Sequence, residues 1–296
     1  MNLSKKEVIF DSDKVESSYI KACMLDIECI KPGNVNLVSG HDDTNAKDFI
    51  SSCKATSKII TLPDISLGER IESCIVETKK ITTKNTNLGI ILLCSLFSQS
   101  LLLKSKKLDE SIQDTVMSST NDDVTRICKA ITVANPGGLG SHDEYDVNSN
   151  PKVTLYDLMK ASAEYDQISN QYYLKFKDIF SFIIPTLHSS IVRINNTKLA
   201  LSYTFLKILE KYPDSHLRRK YGNKIAKKTS NEASDLIKIL DGDTRYESWG
   251  KNLISLDKHF KMARVNPGTT ADLLVVSMMI YDYFIGIEPT SEVSVY

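Results

Sequence analysis

Apolar residues return every three to four positions along nearly the whole of this chain, and nowhere do they sustain one-by-one alternation over the length of a strand. That spacing fills one face of a helix and cannot fill one face of a sheet. Two stretches go further: Leu88–Leu103 and Leu273–Phe284 are apolar on nearly every side. A helix with no face for water belongs in a protein interior. Leu88–Leu103 carries Ser95, Ser98, Gln99 and Ser100 and falls short of a membrane span. The expected fold is all-α, a single globular multi-helix domain of about ten to twelve helices with a buried central helix and no repeat of fixed period.

Local signals place the helices. Ile20, Cys23, Met24 and Ile27 mark a first amphipathic helix over roughly residues 15–29, ended before Lys31-Pro32-Gly33 because Pro32 restricts its predecessor. Phe49, Ile50, Cys53 and Ile60 give a second, opening near Asp48, and Ser66-x-x-Glu69 is a capping-box signature for a third. Thr120 or Asn121 caps the helix of Val124, Ile127, Cys128 and Ile131. Thr154 opens a long helical region through Ile179, and Leu199, Leu206 and Leu209 mark a helix that stops at Pro213. Ile225–Leu240 and Trp249–Phe260 carry two more.

Composition narrows the function. Lys and Arg equal Asp and Glu at 37 each, which argues against a nucleic-acid or anionic-membrane surface as the main partner. Six cysteines form no CxxC and fall mostly on apolar helix faces, so they read as reduced core thiols rather than disulfides or a zinc site. The N-terminus has no long apolar segment of a signal peptide. A cytoplasmic protein is expected.

Polar islands interrupt the helices. The densest, Asn135–Val147, holds Gly137, Gly138 and Gly140, then His142, Asp143, Glu144 and Asp146. Glycines admit close backbone approach, and the acids that follow suit a hard cation or a hydroxyl. The other islands are Lys31–Asn36 with His41, Asn85–Gly89, Pro213–Gly222 and Asn266–Asp272. Each alone reads equally well as capping and solvated turn. Together, at helix ends, they can line one cleft whose cations (Lys31, Arg219, Lys220), acids (Asp48, Asp214, Asp272 and those above) and amides (Asn34, Asn85, Asn87) suit a nucleoside triphosphate with Mg²⁺. Tyr165, Tyr172 and Tyr173 could stack on a base, although such a stripe is more often core. GxxxxGKS/T, HExxH and a nucleophile elbow are absent.

Lys31-Pro32-Gly33, His41, Lys47-Asp48-Phe49, Asn85-Thr86-Asn87-Leu88-Gly89, Pro213-Asp214-Ser215-His216 with Arg219-Lys220-Tyr221-Gly222, and Asn266 to Leu273 come in one order. In that order they resemble the triphosphoribosyl-dephospho-CoA synthase family, CitG and MdcB, over roughly residues 15–285. KPGNVN, NTNLG and NPGTTADL depart from the citrate-lyase branch (KPGLVD, NTHKG, SPGGSADL) and look more like its archaeal and methylotroph members. The resemblance implies a CitG-like all-helical catalytic domain over 15–296 after an N-terminal extension, 1–14. It implies transfer of the 5-triphosphoribosyl group of ATP to the 2′-hydroxyl of 3′-dephospho-CoA, with adenine released. Lys31, Arg219 and Lys220 would grip triphosphate. Asp48 and Asp272 would hold Mg²⁺ or stabilise C1′, and Asp143, Glu144 or Asp146 would serve as base or metal ligand. Asn85 and Asn87 would orient ribose or phosphate, His41 and His216 would be acids, and Asn34, Gly137, Gly138, Asp214 and Thr269 would complete the ATP site. A related transferase or nucleosidase on another cofactor, such as a pterin, and a non-catalytic ATP binder are the competing readings. The expected partners are small nucleotide and CoA-type substrates, and a homo-oligomer is compatible with the sequence.

Overall fold

In the computed structural model, residues 2–37, 45–103, 106–136, 152–243 and 245–288 are described. Fourteen α-helices occur among them. In chain order they are α1 (Ser12–Glu28), α2 (Ala46–Ile60), α3 (Leu67–Ile81), α4 (Leu88–Ser100), α5 (Leu108–Ser118), α6 (Asn121–Ala134) and α7 (Leu155–Ser162). Then follow α8 (Gln167–Tyr173), α9 (Ile184–Ile194), α10 (Thr197–Lys211), α11 (Ser215–Tyr221), α12 (Asn223–Asp241), α13 (Trp249–Met262) and α14 (Gly268–Phe284). Among the described residues extended pairing is limited to one antiparallel bridge, Glu7 with Lys107.

The two helices without a polar face lie together in the middle. α14 packs against α4, α1 and α10, and α4 in turn contacts α3 and α5. Ile91, Leu93 and Phe97 of α4 and Leu274 to Val276 of α14 are fully buried. α2, α3, α9 and α10 pack against this pair, and the amphipathic helices α6 and α12 lie on α3 and α10 in turn. At about 25 cal/mol per Å² of apolar surface removed from water, this burial is the main stabilising term.

Helix starts follow the expected chemistry. Asn45 and Thr120 form reciprocal capping boxes with Asp48 and Asp123, and Ser66 accepts from the Glu69 N–H. The helix count exceeds the expected ten to twelve for three reasons, the first being that the Pro213–Gly222 island itself holds α11. The region opened by Thr154 is not continuous: Asp166 starts a new helix by accepting the Ser169 N–H, and Lys175 and Phe176 then take positive φ (56° and 59°). α5 fills a stretch whose periodicity is too short to stand out. All six cysteines are free, five of them buried.

Residues before α1 pack on the core as well. Leu3 and Val8 are buried, the Val8 N–H donates to the Lys106 carbonyl, and the Tyr283 hydroxyl donates to the Ile9 carbonyl. No helix among the described residues is long and apolar enough to cross a membrane.

Candidate active site

The starts of α4 and α14 open onto the same cavity, about 340 Å³ in volume. Its polar wall comes from Asn85, Asn87 and Gly89 before and in α4, and from Asn266, Thr269 and Asp272 around the start of α14. Its apolar wall comes from Phe49, Leu92, Ile131, Leu158, Met159 and Ile168. The first N–H groups of each helix have no carbonyl within the helix to bond, and the helix dipole adds positive potential there. A site at two such ends favours an anion.

Hydrogen bonds hold the wall in register. Asn87 holds the N-cap position of α4 without a side-chain capping bond, and Asn85 Oδ1 accepts the Leu88 N–H instead (3.1 Å). Thr86 Oγ1 lies 3.0 Å from Ser52 Oγ. Asn87 Nδ2 donates to Thr78 Oγ1 at 3.0 Å, and its buried Oδ1 has no partner. A buried acceptor left unmatched costs roughly 1–3 kcal/mol, which a ligand donor would recover.

Asp214 ties α11 to α14. It accepts the Leu217 N–H (3.0 Å) with one oxygen and the Thr270 N–H and hydroxyl (2.8 and 2.7 Å) with the other. Ser215 donates to Thr269 Oγ1 at 3.0 Å. This clamp fixes His216 and Arg219 on the cavity wall, where the Arg219 guanidinium donates to Asp166.

A second network braces the wall from behind. Lys31 is fully buried, with Nζ 2.6 Å from Asp26 Oδ1 and 2.9 Å from Asn34 Oδ1. Asn34 Nδ2 donates to Asn266 Oδ1 at 2.8 Å, and the Gly33 N–H donates to Asp257 at 2.9 Å. Gly33 must be glycine: its φ is +82°, and a Cβ would lie 2.3 Å from the Val265 carbonyl oxygen.

Asp272 is the carboxyl of the cavity that lies apart from these networks. Burial pushes it well above the ordinary carboxylate range, and the neighbouring Asp26 and Asp214 push the same way; Arg219 and Lys31 oppose them. Its surroundings therefore favour the protonated form more than water does. Asp26 is also raised by burial, against the pull of Lys31.

A family model described as CitG, ATP:dephospho-CoA triphosphoribosyl transferase, matches residues 12–286. The chain belongs to this family. The CitG fold is also seen in the crystal structure of a candidate triphosphoribosyl-dephospho-CoA synthase from Archaeoglobus fulgidus, with a TM-score of 0.62 at 20% identity. That alignment covers 81% of this chain and 99% of the other. No curated protein matches the chain.

Of the residues expected for the CitG site, Asn34, Asn85, Asn87, His216, Arg219, Thr269 and Asp272 line the cavity. Lys31 and Asp214 stand behind it, engaged as described. Lys220 is exposed, with Nζ 5.1 Å from the centre of the Tyr221 ring. Asp48 does not line the cavity. Its carboxylate accepts the Asn45 N–H at 3.3 Å, while its neighbour Phe49 faces the ligand space. His41, Gly137, Gly138, Asp143, Glu144 and Asp146 lie outside the described residues. Tyr165 lines the cavity, whereas Tyr172 is core and donates to the Leu92 carbonyl, and Tyr173 packs on Tyr156.

Asp26 and Asp166 were not expected from the sequence. Asp26 stands three residues after Cys23 on the apolar stripe of α1, and an acid in such a stripe is the available signal. Among the described residues no group of three or more His, Cys, Asp or Glu is arranged to hold a metal ion. Asp48 and Asp272 do not stand together, since Asp48 completes the capping box of α2 and does not line the cavity that Asp272 faces.

Proposed function

We propose that this cavity is where the chain carries out the family reaction, moving the 5-triphosphoribosyl group of ATP to the 2′-hydroxyl of 3′-dephospho-CoA. The carrying observation is that Arg219 and Asp272, whose carboxyl is raised well above the ordinary range, face one cavity at the meeting starts of α4 and α14. The helix starts and Arg219 receive the triphosphate, with Mg²⁺ arriving as part of the nucleotide. Binding there exchanges the Asp166 carboxylate for phosphate oxygen at the guanidinium. Asn87 Oδ1 takes a hydrogen bond from a ribose hydroxyl.

In the reaction the acceptor oxygen bonds to C1′ while the C1′–N9 bond breaks, and its electron pair leaves with adenine. Adenine must gain a proton and the hydroxyl must lose one. Asp272 supplies the first as general acid, because its surroundings favour the protonated form. Asp143, Glu144 or Asp146 takes the second. Leu92, Leu158, Met159 and Ile168 keep water from C1′, so the sugar passes to the acceptor rather than to solvent.

The test is adenine release from ATP and Mg²⁺ by the pure protein, with and without 3′-dephospho-CoA. Release that requires dephospho-CoA is expected. Release without any acceptor would make the chain a nucleosidase, and ATP binding without release would remove catalysis from the proposal.

A further inference from the structure

α4 begins at Leu88, so Gly89 is its second residue, and its Cα faces α14. A Cβ built on Gly89 would lie 2.1 Å from Oδ2, 2.5 Å from Cγ and 3.0 Å from Cβ of Asp272. Carbon and oxygen do not approach closer than about 3 Å without bonding. The Asp272 carboxyl therefore occupies the volume that any side chain at position 89 would need. The crowding does not come with the cavity as such: at Gly268, also on the cavity, a Cβ would meet nothing nearer than the His216 ring at 3.8 Å.

The backbone offers no relief. α14 is pinned at its start by the two hydrogen bonds from Thr270 to Asp214, and Ala271 and Leu273 on either side of Asp272 are buried. A substituted residue 89 forces the Asp272 carboxyl to rotate away from α4 toward the ligand space, while its Cβ at 3.0 Å needs only a few tenths of an ångström of give. There it would be solvated and off the first turn of α4, whose N–H groups are unbonded within the helix.

We propose that Gly89 is a positioning residue for Asp272: the missing side chain at the second position of α4 is what allows that carboxyl to lie against the start of the helix, facing the cavity. The catalytic part of this inference rests on the transferase reading. The positional part does not.

The experiment compares Gly89→Ala, Asp272→Ala and the double variant with the native protein, in adenine release across pH and in melting temperature across pH. Gly89→Ala is expected to lower kcat about 100-fold, in the range a general acid contributes. It is also expected to shift to lower pH the limb of the profile that Asp272→Ala removes. In the Asp272→Ala background the same substitution should cost far less, on the order of a fewfold at most, because the crowded oxygen and Cγ are gone and only the Cβ contact at 3.0 Å remains. Gly242→Ala, on the far surface where a Cβ meets only carbonyls at 3.5 and 3.6 Å, should behave as native. Equal losses from Gly89→Ala in both backgrounds, or an unmoved pH limb, would overturn the proposal.

Melting provides the reading that does not need turnover. A carboxyl raised in the folded state stabilises at low pH and loses that contribution as pH rises through its folded value. Gly89→Ala should flatten this dependence toward that of Asp272→Ala. If the native protein releases no adenine but the flattening is seen, the transferase reading falls and the positional inference stands. If the dependence is unchanged, the positional inference falls.

Discussion

The ammonium of Lys31 lies 2.6 Å from the carboxylate of Asp26, and the two side chains are 0% and 3% exposed. Neither charge reaches solvent, so each depends on the other, and Lys31 also donates to the Asn34 amide oxygen. The pair belongs to the wall that carries Asn266, and its integrity is a condition of the cavity's shape.

Removing one member strands the other. Lys31→Met should destabilise the fold by about 3–5 kcal/mol, the usual consequence of an uncompensated buried charge. Adding Asp26→Asn should recover most of that loss. Chemical denaturation of the two single variants and the double variant checks this.

Asp272 predicts opposite effects on stability and turnover. Its raised pKa in the fold means that ionisation is resisted, so Asp272→Asn should be more stable than the native protein at pH 8, by about 1–3 kcal/mol. The advantage should shrink as pH falls through about 4 and below, where the unfolded carboxyl also takes up its proton. Adenine release should fall about 100-fold or more. Melting curves at several pH values and a turnover assay check both halves.

Arg219 and Lys220 are adjacent cations in different settings. Arg219→Ala should raise the KM for ATP roughly 10- to 100-fold, the equivalent of one charge-assisted bond at about 1.5–3 kcal/mol. Lys220→Ala, which removes an exposed ammonium stacked on Tyr221, should change it less than about twofold. Initial-rate kinetics over ATP concentration separates them.

Arg70 makes a stability prediction far from the chemistry. Its buried guanidinium donates to the carbonyls of Ile59 (3.0 Å), Ile60 (2.7 Å) and Leu62 (2.5 Å) and to Gln99 Oε1 (2.9 Å), joining the end of α2 to α3 and α4. Burial lowers its pKa to about 10. Arg70→Met should lower stability by roughly 2–4 kcal/mol, since several carbonyls lose their donor at once. Arg70→Lys should recover less than half, because an ammonium cannot span that fork. Denaturation midpoints decide.

The central helices were legible because an all-round apolar stretch has one place to go. The convergence of islands was legible too, since Asn85–Gly89, Pro213–Gly222 and Asn266–Asp272 do meet. Roles within the islands were less so. Lys31 and Arg219 look alike in sequence, but one is buried against Asp26 and the other faces the cavity. Asp48 reads as a site acid and caps α2, because a capping box and an acidic ligand use the same residue types. The break after α8 had no glycine or proline to announce it, for Lys175 and Phe176 adopt positive φ under tertiary packing.

The central place of α14 sets a timing problem for the growing polypeptide. α4 ends at Ser100, and the helix that covers it does not begin until Gly268. At about 5–20 residues per second, the ribosome leaves the apolar surface of α4 without its main partner for on the order of 10–30 s. The nascent chain must pass through a long-lived state with its future interior uncovered, and chaperone demand should peak in that interval and end when α14 emerges.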